Sequence, residues 1–205
     1  MFKSQSCLIL SPPRTGSNFL ANFIAKKFYP NHSVIKDPDV LGIISSGQRF
    51  IASTHELLSN EQLVNVIPVF NIRENLIESV FSRVIANYYE LWKPNGLMWN
   101  ERMSKPFAAR PKEVYEALFQ QIEWYSHYRP MLTKYSHVVS YEVFTQLIYN
   151  NYEEKIDKSK VIENYASMID YINSNLTDKA RDDHGEFVDW KCRPGRQEIY
   201  QILQS

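Results

Sequence analysis

The first regular pattern is "SCLIL", a short apolar run that halts at "SPPRTGSN" and then turns amphipathic. The run predicts a strand over Ser6–Leu10. The stretch after it predicts a helix over 18–28, with Leu20, Phe23 and Ile24 at helical spacing and Ser17 or Asn18 as its cap. Further β-rich runs lie at 49–53, at Val66–Ile72 and at 137–141. "VIPVFNI" is apolar almost throughout, as a strand buried on both faces requires. Helical periods cover 74–89 and 158–173. A longer one opens at Pro111 and carries Val114, Leu118, Ile122, Tyr125 and Leu132 as its stripe. Strands alternating with helices predict an α/β chain: one domain over 1–205, with a central parallel sheet flanked by helices. Prolines and a glycine make 91–110 a loop excursion. Its Trp92 and Trp99, with Tyr88 before it, fit an acceptor pocket wall or, equally, a core or dimer contact.

Composition narrows this little further. Hydrophobic residues make up 44% of the 205 and aromatics 14%, enough for a core and against global disorder. Lys+Arg and Asp+Glu both number 23, so no overall field favours nucleic acid or an anionic membrane as partner. The early apolar stretch, Cys7 to Leu10, is too short for a signal peptide, and nothing approaches the roughly 20 apolar residues of a membrane span. Cys7 and Cys192 match no metal spacing, and a reduced, cytoplasmic protein is the expectation.

The chemistry concentrates in the turn after the first strand. A strand-to-helix turn in a parallel sheet lies at the carboxyl edge, where such folds bind ligands. The helix N-terminus offers unpaired N–H groups and the positive end of its dipole. Gly16 permits close backbone approach, Thr15, Ser17 and Asn18 add hydrogen-bonding side chains, and Arg14 adds a fixed charge with bidentate geometry. This is the composition of a phosphate cradle. It is not a nucleoside-triphosphate loop, because no Lys follows Gly16, nor a dinucleotide loop, because only one glycine is present. Cys7 sits one residue too far from Arg14 for a phosphatase loop.

"SPPRTGSNFL" instead resembles the 5′-phosphosulfate loop of sulfotransferases that use 3′-phosphoadenosine 5′-phosphosulfate (PAPS), most closely the bacterial trehalose-type branch. "VFNIRENLIESVFS" is similar to that branch's strand–Arg–x8–Ser pattern, with Arg73 at the strand end and Ser82 on the next helix; Ser79 is the competing hydroxyl. "VVSYEVF", with Tyr141 and Glu142, resembles the family's late strand-plus-YE segment. The resemblance implies a P-loop NTPase-like sulfotransferase fold in which Pro13, Arg14, Thr15, Gly16, Ser17 and Asn18 hold the 5′ group and Arg73 and Ser82 hold the 3′-phosphate. It implies PAPS as donor, 3′-phosphoadenosine 5′-phosphate (PAP) as product, no metal, and a small-molecule, carbohydrate or lipid acceptor. A homo-oligomer is compatible with it.

In the trehalose-type and heparan relatives a glutamate after the first helix is the general base. Here no glutamate falls between Phe19 and His55. In the cytosolic relatives a "K-T-H" histidine after a strand serves, and "FIASTHELL" puts His55 in a similar place. A histidine's ordinary pKa of about 6.5 suits that task. His55 is therefore the expected base, with Glu56, Asp37 and His32 as competitors, and Arg14 the expected leaving-group stabiliser. "KCRPGRQ" loosely resembles the segment that closes over the 3′-phosphate, which makes Arg193, beside Lys191 and Arg196, a candidate cofactor residue and 176–205 a candidate to close over the cofactor. The rival expectations are a nucleotide kinase-like phosphotransferase and a non-catalytic nucleotide-binding protein of the same fold.

Overall fold

The computed structural model describes residues 5–36, 40–90, 105–135, 137–148, 157–190 and 198–204 of the 205. Five strands form one sheet: β1 (Ser6–Leu10), β2 (Ile35–Lys36), β3 (Ile51–Thr54), β4 (Val66–Ile72) and β5 (Val138–Ser140). Their order is β2-β3-β1-β4-β5, and every pairing is parallel. The helices are α1 (Ser17–Phe28), α2 (Val40–Ser45), α3 (Leu76–Tyr88), α4 (Pro111–Tyr128), α5 (Tyr141–Ile148), α6 (Lys158–Val161), α7 (Tyr165–Asn175), α8 (Asp178–Trp190) and α9 (Glu198–Gln204). The fold is thus α/β with an all-parallel central sheet between helices, as the alternating pattern predicts.

Because successive strand residues point to opposite faces, β1 feeds two cores. Leu8 and Leu10 join Phe70, Ile72, Val80, Leu118, Trp124 and Phe187 on the side of α3, α4, α7 and α8. Cys7 and Ile9 join Leu20, Ile24, Ile67, Val69, Phe144 and Leu203 on the side of α1, α5 and α9. The whole of "VIPVFNI" is buried, including Asn71, which is 1% exposed. Phe70 lies among the aromatic rings of the first core, 5.5 Å from Tyr128, 5.8 Å from Phe187 and 6.2 Å from Trp124.

Several boundaries differ from the sequence-based expectation, each for a local reason. The cap of α1 is Gly16, not Ser17 or Asn18, because the chain enters the helix with φ 75°, a left-handed value that glycine takes without strain. The strand expected over 49–53 is β3, which runs over Ile51–Thr54. The expected strand over 137–141 stops at Ser140, and Tyr141 is already the first residue of α5. The expected helix over 158–173 is two helices, since Ile162 turns extended and bridges Phe107. The long helix ends at Tyr128, where Pro130, lacking an N–H, leaves only a 3-10 turn. The short β2 and α2 have no counterpart in the expected elements, and α8 and α9 lie where the C-terminal sequence shows no clear period. Among the described residues, no helix is long and apolar enough to cross a membrane.

Phe70→Ala should lose about 3–5 kcal/mol of unfolding free energy in urea denaturation, since it empties a site walled by large rings. A loss below about 1 kcal/mol would show that the ring cluster collapses into the gap.

Candidate functional site

The chain leaves β1 toward β2 and β3 on one side, and leaves β4 toward β5 on the other. The carboxyl ends of β1 and β4 are hydrogen-bonded neighbours, so the two departing loops diverge at the switch point of the sheet, the place where open parallel sheets have their ligand crevice. Arg14 follows β1 and Arg73 follows β4, so topology alone brings both predicted cations to one place.

The loop from Ser11 to Gly16 is tightly determined. Its two prolines contribute no N–H, so its first half offers little but carbonyls. Those carbonyls are held by donors. Ser11 O accepts from His55 Nδ1 (2.8 Å), Pro12 O from the Thr15 hydroxyl (2.9 Å) and Pro13 O from Gln121 Nε2 (2.9 Å). Thr15 O accepts from Asn71 Nδ2 (2.8 Å), and Gly16 O from the amides of Phe19 and Leu20. The amides of Thr15, Gly16, Ser17 and Asn18 have no acceptor among the described residues. Amides gathered at the N-terminus of α1, with the carbonyls tied elsewhere, can hold an anion.

Two residues of the loop take positive φ, Arg14 at 66° and Gly16 at 75°. For Arg14 this is a strained conformation, costing on the order of 1–2 kcal/mol, and it is held by the surrounding bonds. Gly16 has a second reason to be glycine: a Cβ there would collide with the ring of Tyr141. That same ring lies under the Arg73 guanidinium, 4.8 Å from centroid to Cζ. Tyr141 thus sits between the two loops.

Arg73 is 8% exposed and anchored at several points. The Tyr125 hydroxyl lies 3.4 Å from its amide and 3.3 Å from its carbonyl, and His184 Nε2 donates to the same carbonyl at 2.8 Å. Its NH1 donates to Glu78 O (3.3 Å). Its Nε lies 3.7 Å from Glu142 Oε1, close enough for an ion pair but not for a hydrogen bond. Glu142 in turn accepts from Glu74 N and the Ser140 hydroxyl, which also bonds Glu74. Burial and, behind it, the positive charge of Arg73 push the Arg14 guanidinium below its ordinary value, with Tyr141 opposing them. Two guanidiniums that repel one another across a crevice form a site for negative charge.

His55 follows β3, the strand paired with β1 on its other side. A carbonyl can only accept, so the short contact with Ser11 O places a proton on Nδ1, and in the neutral ring Nε2 then carries the lone pair. The Ser11 hydroxyl lies 3.3 Å from the same Nδ1. Of the competing bases, Glu56 is exposed and His32 follows the far end of α1, at the amino edge of the sheet. Asp37 lies outside the described residues, as do Lys191, Arg193 and Arg196.

The remaining predicted residues divide. Pro13 and Gly16 shape the loop, the Thr15 hydroxyl is engaged within it, and Ser17 is buried at the helix start. Asn18 is exposed, with its Oδ1 accepting from the Ser53 hydroxyl (3.2 Å). On α3, Ser79 is fully buried and its hydroxyl has no partner among the described residues; Ser82 is half-buried, roughly 4.5 Å further along the axis. Among the described residues no group of three or more His, Cys, Asp or Glu is arranged to hold a metal ion. Sequence reasoning missed Asn71, Gln121, Tyr125 and His184 as parts of the site. A signal existed for two of them: Asn71 is a polar residue inside an apolar strand, and Gln121 lies on the buried stripe of α4. No family model, curated protein or solved structure matches this chain significantly.

Burial disfavours the charged form of His184 and lowers its pKa, with the Arg73 carbonyl, Glu142 and Glu74 opposing. A histidine depressed in the folded state contributes stability that is whole above its ordinary value of about 6.5 and is lost as pH falls below it. Thermal midpoints from about pH 8 to about pH 5 should therefore fall more steeply in wild type than in His184→Gln, which keeps an N–H donor but does not titrate. Parallel profiles would contradict this.

Proposed function

We propose that this crevice binds PAPS and that the protein is a sulfotransferase acting on an acceptor hydroxyl or amine. The observation that carries the reading is the pair of guanidiniums at adjoining strand ends, Arg14 beside a cradle of amides and Arg73 buried beside Glu78 O and Glu142. Such a site favours a ligand with anionic groups at two separate positions. A nucleoside triphosphate is served less well, because Ser17 stands where that loop carries its lysine. The loop motif, the strand-end arginine and the helical serines all support the same reading.

When bound, the donor supplies a sulfuryl group whose bond to phosphate breaks as the acceptor atom attacks sulfur in line. The amides of Thr15, Gly16, Ser17 and Asn18 hold the 5′ end. Arg14 offsets the charge that develops on the departing phosphate oxygen, and it does so without acting as an acid, since a guanidinium does not give up its proton. Arg73, with Ser79 or Ser82, holds the 3′-phosphate by charge-assisted hydrogen bonds. Nε2 of His55, the ring nitrogen left bare by the bond to Ser11, receives the acceptor's proton. Acceptors of this class are carbohydrates, lipids and small alcohols.

The test is PAP release from PAPS over a panel of those acceptors. Turnover on one of them should drop about 10²–10⁴-fold in His55→Ala while PAP affinity stays close to wild type. Turnover near wild type in that variant would remove His55 from the mechanism. The absence of PAP release on every acceptor, beside tight PAP binding, would favour a nucleotide-binding protein without transfer activity.

A further inference from the structure

The loop after β1 contains an electrostatic difficulty that its sequence creates. Pro12 and Pro13 place two N–H-free residues at the mouth of an anion cradle, so their carbonyls, turned inward, would put negative dipole ends against the ligand. The Pro12 carbonyl is handled locally by Thr15. The Pro13 carbonyl is held from α4 by Gln121, which is fully buried, and the Thr15 carbonyl is held by Asn71 of β4, which is 1% exposed. The two carboxamides reach the loop from different elements. Each satisfies its N–H₂ end there and leaves its oxygen without a hydrogen-bond partner among the described residues. An unmet buried acceptor is unfavourable, so a core built for stability alone would place an apolar side chain at both positions. What each amide gains is a donor aimed at a loop carbonyl.

Resting on the reading of the crevice as an anion site, we infer that Gln121 and Asn71 are positioning residues that hold the Pro13 and Thr15 carbonyls out of the 5′-phosphosulfate cradle, and so set its selectivity for anions. They touch no ligand themselves. They act through the backbone of the loop, and their effect falls on the 5′ half of the site while the Arg73 half is spared.

The experiment compares wild type, Gln121→Met and Gln121→Glu, using PAP, adenosine 3′-monophosphate and inorganic pyrophosphate as probes. Removing the donor in Gln121→Met should weaken PAP and pyrophosphate about tenfold or more, and leave the 3′-monophosphate unchanged. Gln121→Glu should show the same deficit at neutral pH. The deficit relative to wild type should shrink as pH falls, because a protonated carboxyl regains an O–H for the Pro13 carbonyl. A merely structural role would weaken the nucleotides alike and show no such recovery. Equal loss for both nucleotides, or no loss, overturns the inference. If neither Gln121 variant folds, Asn71→Asp tests the Thr15 carbonyl by the same pH criterion. Wild type that binds pyrophosphate in a Gln121-dependent way but not PAP would overturn the donor assignment and leave the inference standing. Wild type that binds neither would overturn both.

Discussion

Three side chains on one face of α4 hold the loops that make the site. Gln121 ties the loop after β1, Tyr125 brackets the backbone of Arg73 after β4, and Tyr128 bonds Glu56 O and Leu58 N after β3. Their spacing of four and then three residues places them on one helical stripe. His127, next to that stripe, adds a bond to Leu58 O. The loops carrying Arg14, Arg73 and His55 are therefore referenced to one rigid element, which is itself fixed through Trp124, Tyr125 and Tyr128 in the ring cluster around Phe70. Packing in the core and geometry at the sheet edge are the same constraint seen from two ends.

On that frame the electrostatics follow from topology. The parallel order β2-β3-β1-β4-β5 sets the ends of β1 and β4 side by side, and each ends near an arginine. Cations held close in a partly desolvated crevice repel, and Glu142 pairs with Arg73 at 3.7 Å. Tyr141 fills the space between, against Gly16 below and Arg73 above, which explains both the glycine and the aromatic. The crevice is thereby biased toward a ligand that brings its own negative charge.

How far all this could be read from the sequence depended on range. Local patterns carried the main strands, α1, α3 and α4, because their periods run over many residues. The two-residue β2 and six-residue α2 are too short to show a period, and Ile162 leaves its helix only because Phe107, far away in sequence, offers a bridge. Arg14 and Gly16 were legible from the composition of the loop after β1, and Arg73 and His55 only through the resemblance of their segments to sulfotransferase motifs. Their supports were not, since Gln121 reaches Pro13 across 108 positions and His184 reaches Arg73 across 111. A polar residue on an apolar stripe marks that something is held, though not what.

We propose that Arg14 and Arg73 together define a site for a nucleotide phosphorylated at two separate positions. The most direct measurement is a thermal-shift titration with PAP, beside ATP with magnesium, on wild type and Arg73→Ala. At about a hundredfold excess over its Kd a specific ligand adds about 2.7 kcal/mol. PAP should stabilise wild type in preference to ATP with magnesium, and the effect should be lost in Arg73→Ala. Stabilisation by ATP with magnesium alone, or a PAP shift indifferent to Arg73, would contradict it.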